Sequence, residues 1–337
     1  MALRAVTPLI PMMSAGELME PHPALGLWFK RNFSASLKGS CYESRIAFDR
    51  FGSRSMSAKP LGAYGEAWLF VGDSMVQGLQ VDNEALFTTI LQSKVGDAAI
   101  INLGKSGSGP AYYNRVIYNF VDKEKVHAHV TRVYYFVTME NDFQNLFEEI
   151  PDNALNQFLR QHFYDLKTYQ LLKSAFIQLR TRHVVPKEVF AHQKNEQGLP
   201  FYAYPNERSD QAFARLDSLW TELEEFSTSH KLQIVIVPIP AIEQLEAGVG
   251  HSVYQYPIES LITLSKRHGF QFCDLAKDMI IFKEKNKVIP PYFSLPCDSH
   301  LSPFGHRVVA ELLFEHLRSS SGISAGGQSP VELRRVG

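Results

Sequence analysis

Apolar residues in this chain gather into short, nearly unbroken runs separated by stretches with helical spacing. The runs are Ala67–Val71 (AWLFV), Ala98–Asn102 (AAIIN), Arg132–Thr138 (RVYYFVT), Leu232–Pro238 (LQIVIVP) and Phe270–Asp274 (FQFCD). Short runs rich in β-branched and aromatic residues predict strands buried on both faces. Helices are predicted between and after them, over Ala85–Lys94, Ala111–Lys123, Gln211–His230, Ile258–Arg267 and Pro303–Arg318. Strands apolar throughout and separated by helices mean a parallel sheet covered on both sides. Right-handed crossovers then give a three-layer α/β/α sandwich around a flavodoxin-like central sheet of about five strands.

The pattern also sets the expected boundaries. Residues 1–20 read as a loose lead-in, 21–318 as a single α/β domain, and 319–337 (SSSGISAGGQSPVELRRVG) as a flexible tail. One stretch, from about 143 to 208, is too long for a strand connection. Within it Leu166, Tyr169, Leu172, Ala175, Phe176 and Leu179 recur at helical spacing. It is expected to be a helical insertion, either packed on the core or serving as a cap over the site.

Composition narrows the function classes. Of 337 residues, 45% are hydrophobic and 20% charged, which suits a packed globular domain. The formal net charge of -1 and the absence of a basic run argue against a nucleic-acid partner. No apolar stretch reaches the ~18 residues of a membrane span. The N-terminus, broken by Pro8 and Pro11, does not read as a secretory signal, so the expected location is the cytoplasm. Cys41, Cys273 and Cys297 are too few and too far apart in sequence for a disulfide framework or a zinc ribbon. Cys273, in an apolar run, is expected to pack as a small hydrophobe.

Ligands of open parallel sheets bind at the carboxyl ends of the strands. Those ends carry Gly72-Asp73-Ser74-Met75, then Asn102 to Gly109 (NLGKSGSG), then Met139-Glu140-Asn141-Asp142-Phe143. Just before the last helix comes Cys297-Asp298-Ser299-His300-Leu301-Ser302-Pro303. A hydroxyl, glycine-rich backbone, a carboxamide and a carboxylate–imidazole pair are the inventory for acyl transfer. Ser74 needs a base to become a nucleophile. His300 is the candidate base, with Asp298 fixing its tautomer. The backbone N–H of Ser74 and one from the glycine-rich segment, with the Asn141 amide, would form an oxyanion hole. Gly104 and Gly109 read as turn formers, Asp73 as a brace for its own turn, and Asp142 and Phe143 as loop structure and groove wall. His306 reads as a packing residue. A metal set of Asp298, His300 and His306 lacks a fourth ligand, and no cofactor is called for.

These blocks resemble the SGNH (GDSL-like) hydrolase family. VGDSMVQG is similar to its nucleophile block, NLGKSGSG to its glycine block, MENDF to its asparagine block, and CDSHLSPFGHRVVAELL to its acid–histidine block. Residues 23–28 (PALGLW) and 49–54 (DRFGSR) resemble the lead-in of some members. In the resemblance Gly107, rather than Gly104, aligns with the oxyanion glycine. Two features depart from the family's usual pattern. Met139 and Glu140 stand where a glycine is usual, and Asp298 and His300 are two positions apart rather than three, a spacing some O-acetyltransferases share. The resemblance implies an esterase cleaving short, acetyl-like O-acyl groups from a carbohydrate or small metabolite through an acyl-Ser74 intermediate. An O-acyltransferase would use the same intermediate. A non-catalytic binding module would have lost Ser, Asp or His. A flavodoxin-like nucleotide binder would want a G-x-G-x-x-G or P-loop after the first strand, and GDSMVQG is neither. Tyr112, Tyr113 and Phe143, beside Lys105, Asn114 and Gln144, suit a polar alcohol portion if they line the site, and merely pack if they lie beneath the loops.

Overall fold

The computed structural model of the chain describes residues 18–54, 61–96, 98–124, 130–139, 141–147, 199–289 and 292–321. The expectations for 1–17, for most of the insertion (148–198) and for 322–337 lie outside these residues.

Two antiparallel hairpins come first: β1 (Met19–His22) with β2 (Gly26–Phe29), and β3 (Phe33–Lys38) with β4 (Glu43–Phe48). Structure therefore begins inside the expected lead-in, where Leu18 and Met19 are already buried. In β4, Ser44, Ile46 and Phe48 alternate inward, and Phe48 stacks on Phe29 at 4.7 Å. After β4, Asp49 accepts from the N–H groups of Phe51 and Ser53 and from the Ser53 hydroxyl, closing a tight turn. Gly52 sits in that turn at φ +69°, where an added Cβ would meet the Phe29 carbonyl at 2.4 Å.

The central sheet contains β5 (Glu66–Val71), β6 (Ala98–Asn102), β7 (Val130–Thr138), β8 (Gln233–Ile239) and β9 (Gln271–Phe272). Their order is β6-β5-β7-β8-β9, and every neighbour pair is parallel. That is the flavodoxin-like order, with its switch point between β5 and β7. Residues 67–71 and 98–102 are buried throughout, as unbroken apolar runs require when helices cover both faces. Helices Pro110–Asp122 and Glu207–His230 pack together, with the Asn114 amide donating to the Leu219 carbonyl at 2.8 Å. Helices Phe87–Gln92, Leu275–Asn286 and Pro303–Ser321 form a second group. The result is a three-layer α/β/α fold.

The last helix, Pro303–Ser321, runs into the expected tail. The helix Ser252–Arg267 begins six residues before its predicted start and carries Pro257 inside its first turns. A further hairpin, β10 (Ser294–Leu295) with β11 (Asp298–Leu301), closes the chain onto the sheet's carboxyl edge.

The cysteines depart from expectation. Cys41 and Cys297 form a disulfide, Cα–Cα 5.9 Å, across 256 positions. Sequence separation says nothing about distance once the β3–β4 turn and the β10–β11 turn lie side by side. Cys273 is free and buried, packed as a small hydrophobe.

Candidate active site

The first strand of the central sheet ends at Val71, and the chain turns sharply into a one-turn helix, Ser74–Gln77. Asp73, not Ser74, is the N-cap: its carboxylate accepts the Met75 N–H at 2.9 Å. Ser74 is thereby the first helical residue, where a backbone N–H has no partner within the helix. The turn leaves no room at Gly72, where an added Cβ would lie 2.4 Å from Val76 Cγ2.

Asp73 also joins the other blocks. Its Oδ1 accepts from the Thr138 hydroxyl at 2.9 Å, at the end of β7, and its Oδ2 accepts from the Asn141 amide at 3.0 Å. Burial lifts the Asp73 carboxyl above its ordinary range, while the bonds from Asn141, Met75 and Thr138 and the nearby His300 draw it back down. Asn141 spends one of its two amide N–H groups on Asp73. Asn141→Ala is expected to lower kcat by about 10²–10³-fold, as loss of an oxyanion donor does. Steady-state kinetics with a soluble ester checks this, and an effect confined to KM would make Asn141 a substrate-binding residue instead.

Behind Asn141 lies a second buried carboxyl. Asp142 accepts from the Tyr113 hydroxyl at 2.7 Å and from the Thr138 N–H at 2.8 Å. Burial, with the charge of Asp73 added, pushes its pKa well above the ordinary value. Unfolded, this carboxyl releases its proton near pH 4; folded, it retains the proton to higher pH. Its contribution to stability is therefore complete below about pH 4 and is lost as pH rises toward the folded pKa. Asp142→Asn is expected to flatten that decline, which thermal melts between pH 4 and 9 would read. A slope unchanged from the parent protein would remove Asp142 as its source.

The glycine block reaches the turn around Ser74 through its backbone. Lys105 donates its N–H to the Gly72 carbonyl at 3.0 Å, and Ser106 donates to Gln77 Oε1 at 2.9 Å. Gly104 and Gly109 do not adopt the left-handed backbone of turn formers. They are glycines because of close approach: a Cβ at Gly104 would meet Gln77 N at 2.3 Å, and one at Gly109 would meet Asn145 Cβ at 2.5 Å. Within this block Gly107 alone has a positive φ, +68°, with open space around it.

Asp298 and His300 sit on β11 rather than in a loop. The Asp298 side chain lies outside the described set. The helix Ser74–Gln77 packs against β11, and His300 is near enough for its charge to act on both Asp73 and His306. His306 is fully buried, stacked on Phe87 at 5.8 Å between ring centres, and accepts the Phe87 N–H. Burial pushes its pKa down to about 3, with Arg54 and His300 adding to the effect. It is a neutral packing residue. Among the described residues, no cluster of three His, Cys, Asp or Glu side chains could hold a metal ion.

Phe143 is not a groove wall. It is 1% exposed and packs on Tyr202 and Phe213 in the core, and Tyr113 is equally buried. Tyr112 is half-buried, with Lys105 Nζ 4.5 Å from its ring centre. Beside Met75 lies a largely apolar cavity of about 330 Å³, walled by Met75, Ile239, Leu245, Met279, Phe293 and Leu301.

Arg54 is a site residue that the sequence does not reveal. Its buried guanidinium donates to the carbonyls of Gln77, Gly78 and Val81 and to Asn83 Oδ1, tying down the exit of the Ser74 helix. Burial lowers its pKa to about 9, against the opposing pull of Asp82 and Glu84.

Several solved structures are similar to this chain in fold. A G-D-S-L family lipolytic protein from Veillonella parvula is 12% identical over 74% of this chain and 97% of its own, with a TM-score of 0.43. A lipase/acylhydrolase from Enterococcus faecalis is 12% identical over 78% and 100%, with a TM-score of 0.40. An acetylxylan esterase from Geobacillus stearothermophilus is 15% identical over 77% and 96%, with a TM-score of 0.39. The chain is similar to SGNH-type hydrolases. No family model matches its sequence, and no curated protein does.

Proposed function

We propose that this protein is a serine hydrolase that cleaves O-acyl esters through an acyl-Ser74 intermediate. The observation that carries the reading is the Asp73 carboxylate, which caps the Ser74 helix and fixes the Asn141 amide beside it. His300, on the strand packed against that helix, takes the Ser74 proton as Oγ attacks the ester carbonyl. Asp298 steadies the imidazolium. The oxyanion is met by the N–H groups of Ser74 and Gly107 and by the second amide N–H of Asn141. The proton then passes from His300 to the departing alkoxide, and a water activated by His300 releases the acid.

The alcohol portion is a carbohydrate or another small polar metabolite, and the acyl group is short. The polar alcohol rests on the family resemblance: Tyr113 and Phe143 pack in the core, and the Tyr112 hydroxyl donates to the Leu25 and Leu27 carbonyls. Among the described residues no helix is long and apolar enough to cross a membrane. The Cys41–Cys297 bond favours an oxidising compartment over the cytoplasm expected from the sequence.

A fluorophosphonate probe should label Ser74, and a p-nitrophenyl ester series from acetate to palmitate should show highest turnover on acetate or butyrate. Turnover confined to long chains would assign the cavity beside Met75 to the acyl group and overturn the short-acyl reading. Turnover only with an added acceptor alcohol would make transfer the reaction.

A further inference from the structure

The β10–β11 hairpin that carries His300 is short. Only two residue pairs, Ser294↔Leu301 and Leu295↔Asp298, set its register. A two-stranded hairpin of this size is marginal on its own in water. Its base is secure: Ser302 donates its N–H to the Phe293 carbonyl at 2.8 Å and its hydroxyl to the Tyr292 carbonyl, and Phe293 is buried against Phe282 and Phe304. The Ser74–Gln77 helix packs against β11, and Leu301 is buried, but the turn between the strands borders a cavity. Leu295, Pro296, Cys297, Ser299 and Leu301 wall the apolar cavity rather than fill it.

What reaches the tip is the disulfide. Cys297 immediately precedes Asp298, and its partner Cys41 lies in the β3–β4 turn, where Gly39 donates to the Tyr42 carbonyl at 2.9 Å. The Ser40 hydroxyl adds a contact to Cys297 Sγ at 3.0 Å. The β3–β4 hairpin is in turn fastened to the segment leaving the Ser74 helix. Ser44 donates to the Leu79 carbonyl at 2.6 Å, and Arg45 N–H to Asp82 Oδ1 at 2.6 Å. The Asn83 side-chain amide bonds both the N–H and the carbonyl of Ala47 at 2.9 Å. One end of this path is the nucleophile's helix, and the other is the strand bearing the base.

We infer that Cys41–Cys297 is a positioning cross-link that sets His300 against Ser74, so that the activity depends on the redox state of this bond. The inference rests on the proposed Ser74–His300 chemistry. Cys297 is exposed, so a dithiol can reach it. A thiolate of the reductant attacks one sulfur and breaks the S–S bond. A second attack releases the reductant as its cyclic disulfide, and two electrons and two protons end on Cys41 and Cys297 as thiols. The freed tip then samples positions over the cavity. A displacement of about 1 Å in a catalytic group can cost 10²-fold.

The test uses the full chain at 25 °C in three states: oxidised, reduced by dithiothreitol, and reoxidised. A Cys41→Ser/Cys297→Ser double variant and a Cys273→Ala control accompany them. For each, kcat and KM on p-nitrophenyl acetate, the rate of Ser74 labelling by a fluorophosphonate, and the melting temperature are measured. The expected result is a fall of about 10²-fold in kcat and in labelling rate on reduction, with KM within about twofold and recovery on reoxidation. A bond that only staples the fold would lower the melting temperature and leave kcat at 25 °C unchanged; that outcome overturns the proposal. Should the double variant not fold, reduction of the folded parent protein still decides. If the oxidised protein is not labelled at Ser74, the hydrolase reading fails instead, before the cross-link is tested.

Discussion

Ser74→Ala is expected to leave the protein folded and to cut acyl-ester turnover by about 10⁴-fold or more. The fold should survive because the turn does not depend on the hydroxyl. Asp73 caps the helix, Gly72 and Gly104 permit the close approach of its neighbours, and Arg54 gathers the carbonyls at its exit. What disappears is the atom that becomes acylated. Residual catalysis would come from the oxyanion donors and from binding alone. Circular dichroism and a thermal melt would establish folding, and turnover of p-nitrophenyl acetate would give the loss. Near-parental activity in the purified variant would remove Ser74 as nucleophile.

The parts of this structure that could be read from the sequence are those whose environment is uniform. Strands β5 to β8 lie between two layers of helices, so nearly every residue is apolar and each run announces itself. Positions at their carboxyl ends follow, and with them Ser74, Gly107 and Asn141. The unread parts are those where one composition serves two environments. Tyr113 and Phe143 have the residue types of a sugar-binding wall, yet they lie in the core, because an aromatic ring near a loop suits either. The segment from Cys297 to Pro303 is polar and aperiodic, so its strand is set by pairing with Ser294 and Leu295 and not by its own pattern. Arg54 lies in a stretch resembling a lead-in, and nothing local marks a buried guanidinium whose acceptors are more than twenty residues away. The disulfide is the extreme case, since only the juxtaposition of two distant turns reveals it.

His300→Ala should be nearly as damaging as the serine change, again about 10⁴-fold or more, because nucleophile and base act as a unit. That unity gives a sharper test than either loss alone. The Ser74→Ala/His300→Ala double variant is expected to be no slower than either single variant, within about threefold, since a base without a nucleophile has nothing to activate. Losses that multiplied would mean that the two residues act independently. Asp298→Asn should cost less, because orienting the imidazole is worth less than supplying it. The pH dependence fixes the direction of proton transfer. A base must be neutral to accept the Ser74 proton, so turnover should fall toward acid pH. His306 cannot substitute, since it is sealed under Phe87 and already neutral at any pH where turnover would be measured. A rate that stayed flat from pH 5 to 8, with the chemical step shown to be limiting, would exclude a histidine base and with it His300 as the group that takes the Ser74 proton.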